Sequence, residues 1–335
     1  MRSARVVFRT VLLATVLWFS TSDLQAQESV GKPARTSGAG TRNIVQAEMR
    51  NVDFHLDATV VMRIAYLRGA LIPTGAGGVP YFDDKRSFLF QIDSGTIAVT
   101  MPSLEDLLNR YVFAYPGSPL HRITLSIDGG QLKQRAITRG IAVTTWSTVS
   151  ATSAGEVRLH PTSIKAAGIP VRGVLNLFGL RLQKLVDLRG AKGVRFDGDD
   201  LLLTVSELLP PPAIRGHLHA VSLGEGAMIQ VFSPASGAAP KPLAPTDPTA
   251  RNYMYYRGGV LRFGRLTMTG ADLLIVDADP RDPFDFFLDR YNEQLVAGYS
   301  RNTPSKALIA VMPDYNKLAA TRQRGGLRPP MPREK

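Results

Sequence analysis

The sequence predicts an α+β fold, a highly curved antiparallel β-sheet with a few amphipathic helices lying on it. Segments rich in β-branched and aromatic residues recur along the chain. Hairpin turns such as Asp128-Gly129-Gly130 join them, rather than helical crossovers, and that favours antiparallel pairing. Helical apolar stripes occur in only a few segments. With 335 residues, 44% of them hydrophobic, the chain is long enough for one large domain or two modest ones. It has no cysteine, so the fold rests on core packing, and thiol catalysis and zinc–thiolate sites are excluded.

Residues 1–26 read as a signal peptide: Arg2, Arg5 and Arg9, then the apolar run VLLATVLWFS, then Leu24-Gln25-Ala26. The run is short for a membrane span, and an uncleaved N-terminal anchor is the alternative. The expected destination is the periplasm or cell envelope. Residues 27–43 are small and polar, a flexible lead-in.

The main domain is expected over 44–232. Residues 52–72 and 87–100 read as long strands on either side of the turn-rich TGAGGVPYFDDK. A helix across 57–69 is the alternative, because Val60, Val61, Ile64 and Leu67 also fit a helical stripe. The first clear helix is MPSLEDLLNRYVFAYPG. Ser103 is its expected cap, Leu104, Leu107, Leu108, Tyr111 and Val112 form one stripe, and Pro116-Gly117 stops it. At least three strands follow, the last running from Glu156 to a joint at His160-Pro161. Gly168-Ile169-Pro170 then turns the chain into a second helix over 174–188. Val174, Leu177, Phe178, Leu182, Leu185 and Leu188 share one face of it, and Leu175 and Val186 widen that face to about half the circumference. Such a helix packs on a sheet or lines a lipid cavity. Further strands turn at Asp197-Gly198-Asp199-Asp200 and run to residue 232.

Residues 233–252 hold five prolines and read as a Pro/Ala-rich linker. A β/α unit over 253–316 is expected to pack on the main domain. Its helix opens with Asp282 as N-cap and Pro283 at the first position, carries the stripe Phe284, Phe287, Leu288, Tyr291 and Leu295, and ends at Gly298. Residues 317–335 form a basic tail, expected to be disordered.

The net charge is +12. In an envelope compartment the abundant polyanions are lipid headgroups and glycopolymers. Nothing beyond bulk charge points to nucleic acid. The chain carries no nucleophile elbow, zinc-protease, phosphate-loop or dinucleotide pattern, so no catalytic residue and no cofactor is assigned. His217 and His219 lie two apart on a strand without an evident third ligand. Asp277, Asp279, Asp282 and Asp285 cluster without the spacing of an EF-hand. No metal is assigned to either group, and His55, His121 and His160 read as ordinary strand or turn residues.

From 95 to 232 the layout resembles the LmeA-like phospholipid-binding family of the tubular lipid-binding (TULIP) group. The resemblance rests on TIAVTMPSLEDLL, on ITLSIDGGQLKQRAI, on GEVRLHPTSIKAAGIPV with the apolar helix after it, and on LLLTVSELLPPPAIRGHLHAVSLGEGAMIQVF. The segments 52–92 and 253–313 have no counterpart in that family. The resemblance implies a TULIP-like curved sheet wrapped against a helix, enclosing an apolar groove that holds acyl chains. Leu104, Leu107, Leu108, Tyr111, Leu175, Phe178, Leu182 and Leu185 are the expected groove residues. Arg172, Arg181 and Arg189 are expected to meet a headgroup phosphate. The expected function is non-catalytic binding or transfer of a phospholipid or other acyl-chain lipid, with peripheral contact to a membrane surface. Two alternatives stay open: a scaffold protein of the envelope whose apolar faces are ordinary core, and a metal-dependent hydrolase built on scattered His and Asp residues.

Overall fold

The computed structural model describes residues 43–75, 77–170 and 188–318. It begins with an antiparallel meander of β1 (Val45–His55), β2 (Val61–Pro73) and β3 (Phe88–Thr100). The helical alternative over 57–69 is thereby excluded. The Asp57 carboxylate accepts the N–H groups of Thr59 and Val60, each at 2.8 Å, and this local turn sends the chain back as a strand.

Helix α1 (Met101–Leu107) follows β3 directly and runs on into a π-helical turn, Leu108–Val112. Its cap is Thr100, one turn earlier than Ser103, because Pro102 already occupies the first helical turn. The Thr100 hydroxyl accepts the Ser103 N–H at 3.3 Å. Ser103 is buried and ties the helix to the preceding turn instead: its hydroxyl accepts the Val61 N–H and donates to the Thr59 carbonyl, both at 3.2 Å.

A second sheet comprises β4 (His121–Asp128), β5 (Gln131–Thr138), β6 (Ile141–Ala151), β7 (Val157–Ala166), β8 (Ile169–Pro170), β9 (Val194–Asp197) and β10 (Asp200–Leu203). Its order is β4-β5-β6-β7-β10-β9, with β8 folded back on β7, and its pairings are antiparallel. The expected turn after β4 has positive φ at both Gly129 (58°) and Gly130 (73°), which glycine tolerates best. His160 is not at a strand end. It lies within β7 opposite Thr148, and the register shifts beside Pro161, which is how a residue without an N–H is accommodated in a strand.

A short helix α2 (Val205–Leu208) leads to β11 (Ala213–Gly216), β12 (Leu218–Gly224) and β13 (Ala227–Phe232). Next come β14 (Tyr253–Arg257), the hairpin of β15 (Val260–Phe263) and β16 (Leu266–Thr269), then β17 (Asp272–Asp277) and β18 (Phe284–Phe287). Helix α3 (Tyr291–Ala297), β19 (Tyr299–Asn302) and β20 (Leu308–Met312) complete the order. The larger sheet, of eleven strands, runs β12-β13-β3-β2-β1-β14-β17-β20-β19. The pairs β11–β3, β18–β1 and β20–β17 are parallel, so antiparallel pairing is the rule and not universal.

Among the described residues the strands divide into two large sheets and a hairpin, an α+β architecture dominated by strands, and the path of each large sheet is open. The third helix is shorter than its stripe suggests. Phe284–Phe287 is a strand with all four residues buried, paired with Val52–His55 of β1. A run buried on both faces, Phe284 and Phe286 on one and Asp285 and Phe287 on the other, suits an interior parallel strand better than a surface helix. Asp282 therefore caps no helix, whereas Gly298 does close α3. Residues 233–252 lack regular structure but are tied across the larger sheet. Arg68 Nε donates to the Lys241 carbonyl at 3.2 Å, Leu243 N–H donates to the buried Glu48 carboxylate at 2.6 Å, and the Thr246 hydroxyl donates to Asp272 at 2.7 Å.

Candidate ligand-binding groove

Three apolar cavities share walls in sequence. The first, about 20 Å³, lies between β1–β3 and Phe82, Phe88 and Tyr256. The second, about 60 Å³, is lined by Leu104, Leu107 and Leu108 of α1 with Leu125, Leu132, Met228 and Phe232 of the surrounding strands. Met62, Ile92 and Ile214 belong to both. The third, about 420 Å³, lies on one face of the smaller sheet. Ala136, Thr138, Val143, Thr145, Ile164 and Ala166 line that face, while Phe113, Leu120, Leu188, Phe196 and Leu201 form walls. Gln134 and Leu159 are common to the second and third. Ligand cavities are typically ~300–1,000 Å³, so the first two are gaps in a core and the third has the size of a binding site.

The third cavity exists because the smaller sheet has one under-covered face. Along β6 only Ser147 is buried; its other residues are half-buried or exposed. The lining is mostly aliphatic or threonine. Gln134, Arg139, Ser147 and Asp199 add the polar groups, and the buried Ser147 hydroxyl has no hydrogen-bond partner among the described residues.

The α1 leucines converge as their stripe predicts, but Tyr111 does not join them. The π-helical turn inserts an extra residue per turn and rotates Tyr111 outward, where it is 38% exposed. Its hydroxyl donates to the Asp57 carboxylate. Partial burial and that bond push the Tyr111 phenol up to about 12. Burial works to raise Asp57, but the hydrogen bonds from Tyr111, Thr59 and Val60 prevail and hold it below the usual carboxylate range. Phe113, one residue beyond the π-turn, lines the large cavity instead. Sequence periodicity missed Phe113 because it follows an α-helical register that the chain abandons at Leu108. Leu175, Phe178, Leu182, Leu185, Arg172 and Arg181 lie outside the described residues. Leu188 lines the large cavity and Arg189 beside it is exposed.

The polar clusters read as braces. His160 Nδ1 lies 2.6 Å from Asp200 Oδ1, bridging β7 and β10, and His55 Nε2 lies 2.5 Å from Asp285 Oδ1, bridging β1 and β18. His217 packs on Gly155 and His219 is exposed. Asp277, Asp282 and Asp314 bring carboxylate oxygens within 4.8 Å of one another, a spacing that would suit a cation. The Lys317 ammonium supplies that charge, 2.7 Å from Asp314 and 3.1 Å from Asp279 and Asp282. Burial pushes the Asp277 carboxyl up to about 6, against the hydrogen bonds from Asp279 N–H and Asn252 that lower it.

No family model, curated protein or solved structure matches the chain.

Proposed function

We propose that this protein binds one chain of an acyl lipid in the large cavity, as an exported, non-catalytic lipid-binding protein of the LmeA-like, tubular lipid-binding kind. The observation that carries the reading is the size and lining of that cavity, about 420 Å³ and mainly apolar. The groove is partly open, so when it is unoccupied its apolar walls are left facing water, at a cost that scales with the apolar area exposed. Filled with water, its aliphatic walls offer few of the two to four polar partners that an ordered water needs. A hydrocarbon chain satisfies the walls and contributes about 0.8 kcal/mol for each CH₂ it buries. A closed scaffold core would not leave this volume, and of the groups a hydrolase could use, His55 and His160 brace strands through Asp285 and Asp200 while Asp279, Asp282 and Asp314 are held by Lys317.

The test is titration of the purified protein with a fluorescent fatty acid, followed by displacement with a phospholipid below its aggregation limit. Saturable one-to-one uptake reversed by phospholipid is expected. Absence of uptake by folded, lipid-free protein would refute the proposal.

A further inference from the structure

We propose that the end of the smaller sheet at the cavity's mouth docks on an anionic lipid bilayer, with Ile141 and Ile169 entering the interface and Arg122 and Arg139 meeting the phosphates. The register places these residues together. The β5–β6 turn at Arg139-Gly140, the β7–β8 turn at Ala167-Gly168 and the start of β4 at His121-Arg122 all lie at one end of the sheet. His121 is opposite Ile137, Thr138 is opposite Ile141, and Ala167 N–H donates to the Ala142 carbonyl at 2.9 Å. Six large apolar side chains are exposed among the described residues, and two of them sit on these neighbouring turns: Ile141 at 50% and Ile169 at 66%. The large cavity reaches this end, since Arg139 and Ile141 are part of its lining.

The chemistry favours a bilayer over a protein partner. Arg122 and Arg139 are exposed and form no ion pair with a described residue. Asp199, on the β9–β10 turn, shares the cavity lining with Arg139 but makes no ion pair with it, and Asp197 lies on the edge strand β9. A stable protein interface usually needs about 800 Å² from each partner, with a packed apolar centre. Two aliphatic tips flanked by cations match the needs of an interfacial anchor, in which shallow apolar insertion adds to attraction by anionic headgroups. This surface stands on its own observations. Only its consequence, a cavity mouth held against the bilayer, rests on the lipid-binding reading.

The experiment is co-sedimentation of the full chain with vesicles of phosphatidylcholine alone and of equimolar phosphatidylcholine and phosphatidylglycerol. A 27–335 form is run alongside, so that the apolar run at the N-terminus is not mistaken for the surface. Binding to the anionic vesicles, weakened by salt, is expected. Ile141→Asp and Ile169→Asp should each lower the partition about tenfold or more, and Arg139→Glu should lower it for anionic vesicles only. Leu266→Asp, at an exposed leucine on a different hairpin, should leave it unchanged. Equal binding to neutral and anionic vesicles, no effect of the isoleucine changes, or an equal loss in Leu266→Asp would overturn the proposal. So would an Ile141→Asp change that abolishes self-association while vesicle binding persists. Uptake of a soluble fluorescent fatty acid without vesicles separates the two readings. Ile169→Asp should retain it, and its absence from the wild type would count against the cavity and leave the docking surface standing.

Discussion

Two buried residues show how single side chains set the behaviour of this molecule. Asp277 is 5% exposed, and its carboxyl is raised from 3.8 to about 6 by burial. A raised carboxyl means the folded chain holds its proton more tightly than the unfolded chain. This contribution is therefore fully present below about pH 4 and is lost as pH rises through about 6. Asp277→Asn should flatten the thermal stability profile between those limits, measured as Tm against pH. Ser103 makes a different point. Its hydroxyl satisfies both the Val61 N–H and the Thr59 carbonyl. Ser103→Ala should cost about 1–3 kcal/mol in denaturant unfolding, because two partly buried backbone groups lose their partner. The role of Ser103 as a pin rather than a cap was not legible in the sequence, since its partners lie 42 and 44 residues away.

At the scale of elements, periodicity was informative where one face is buried and misleading where two are. The stripe of Leu104, Leu107 and Leu108 is visible in the sequence because α1 has one apolar side, and these residues do meet in the second cavity. Tyr111 left that stripe through the π-turn, which no spacing rule announces. Phe284–Phe287 misled for the opposite reason: a strand buried on both sides looks continuous, and the stripe read through it was accidental. The alternation in β4–β7 was legible, but the emptiness over one face of their sheet was not, because nothing local records what is missing opposite a strand. Ala136 lies on that face and lines the large cavity. Ala136→Trp should therefore fill space rather than disrupt packing. Fatty-acid uptake is expected to fall at least about tenfold while Tm stays within a few degrees. A large fall in Tm would show that the face was already covered by protein.

The whole molecule is organised by pairings that cross most of the chain. β1 is flanked by β2, by β14 and by β18, so the first described strand is completed by residues some two hundred positions later. No local signal carries such long-range pairing, and forming it incurs a large loop-closure cost, which implies slow folding. By composition the proline-rich stretch between β13 and β14 reads as a linker. Its ties through Lys241, Leu243 and Thr246 show it strapped over the sheet, with Leu243 and Ala250 packed on Tyr253, Tyr255, Leu274 and Ile309. Glu48 is the anchor, fully buried and also bonded to the Tyr253 hydroxyl at 2.8 Å. Glu48→Ala should lower stability by about 2–4 kcal/mol and open residues 233–252 to limited proteolysis, because it strips partners from Leu243, Tyr253 and Arg50 together. With this frame in place, the large cavity is the feature that asks for a ligand. Native mass spectrometry of the gently purified protein measures that directly. A mass increment of one lipid per chain, removed by organic extraction and absent from Ala136→Trp, is the predicted result. A spectrum of bare protein that stays bare after incubation with phospholipid would contradict it.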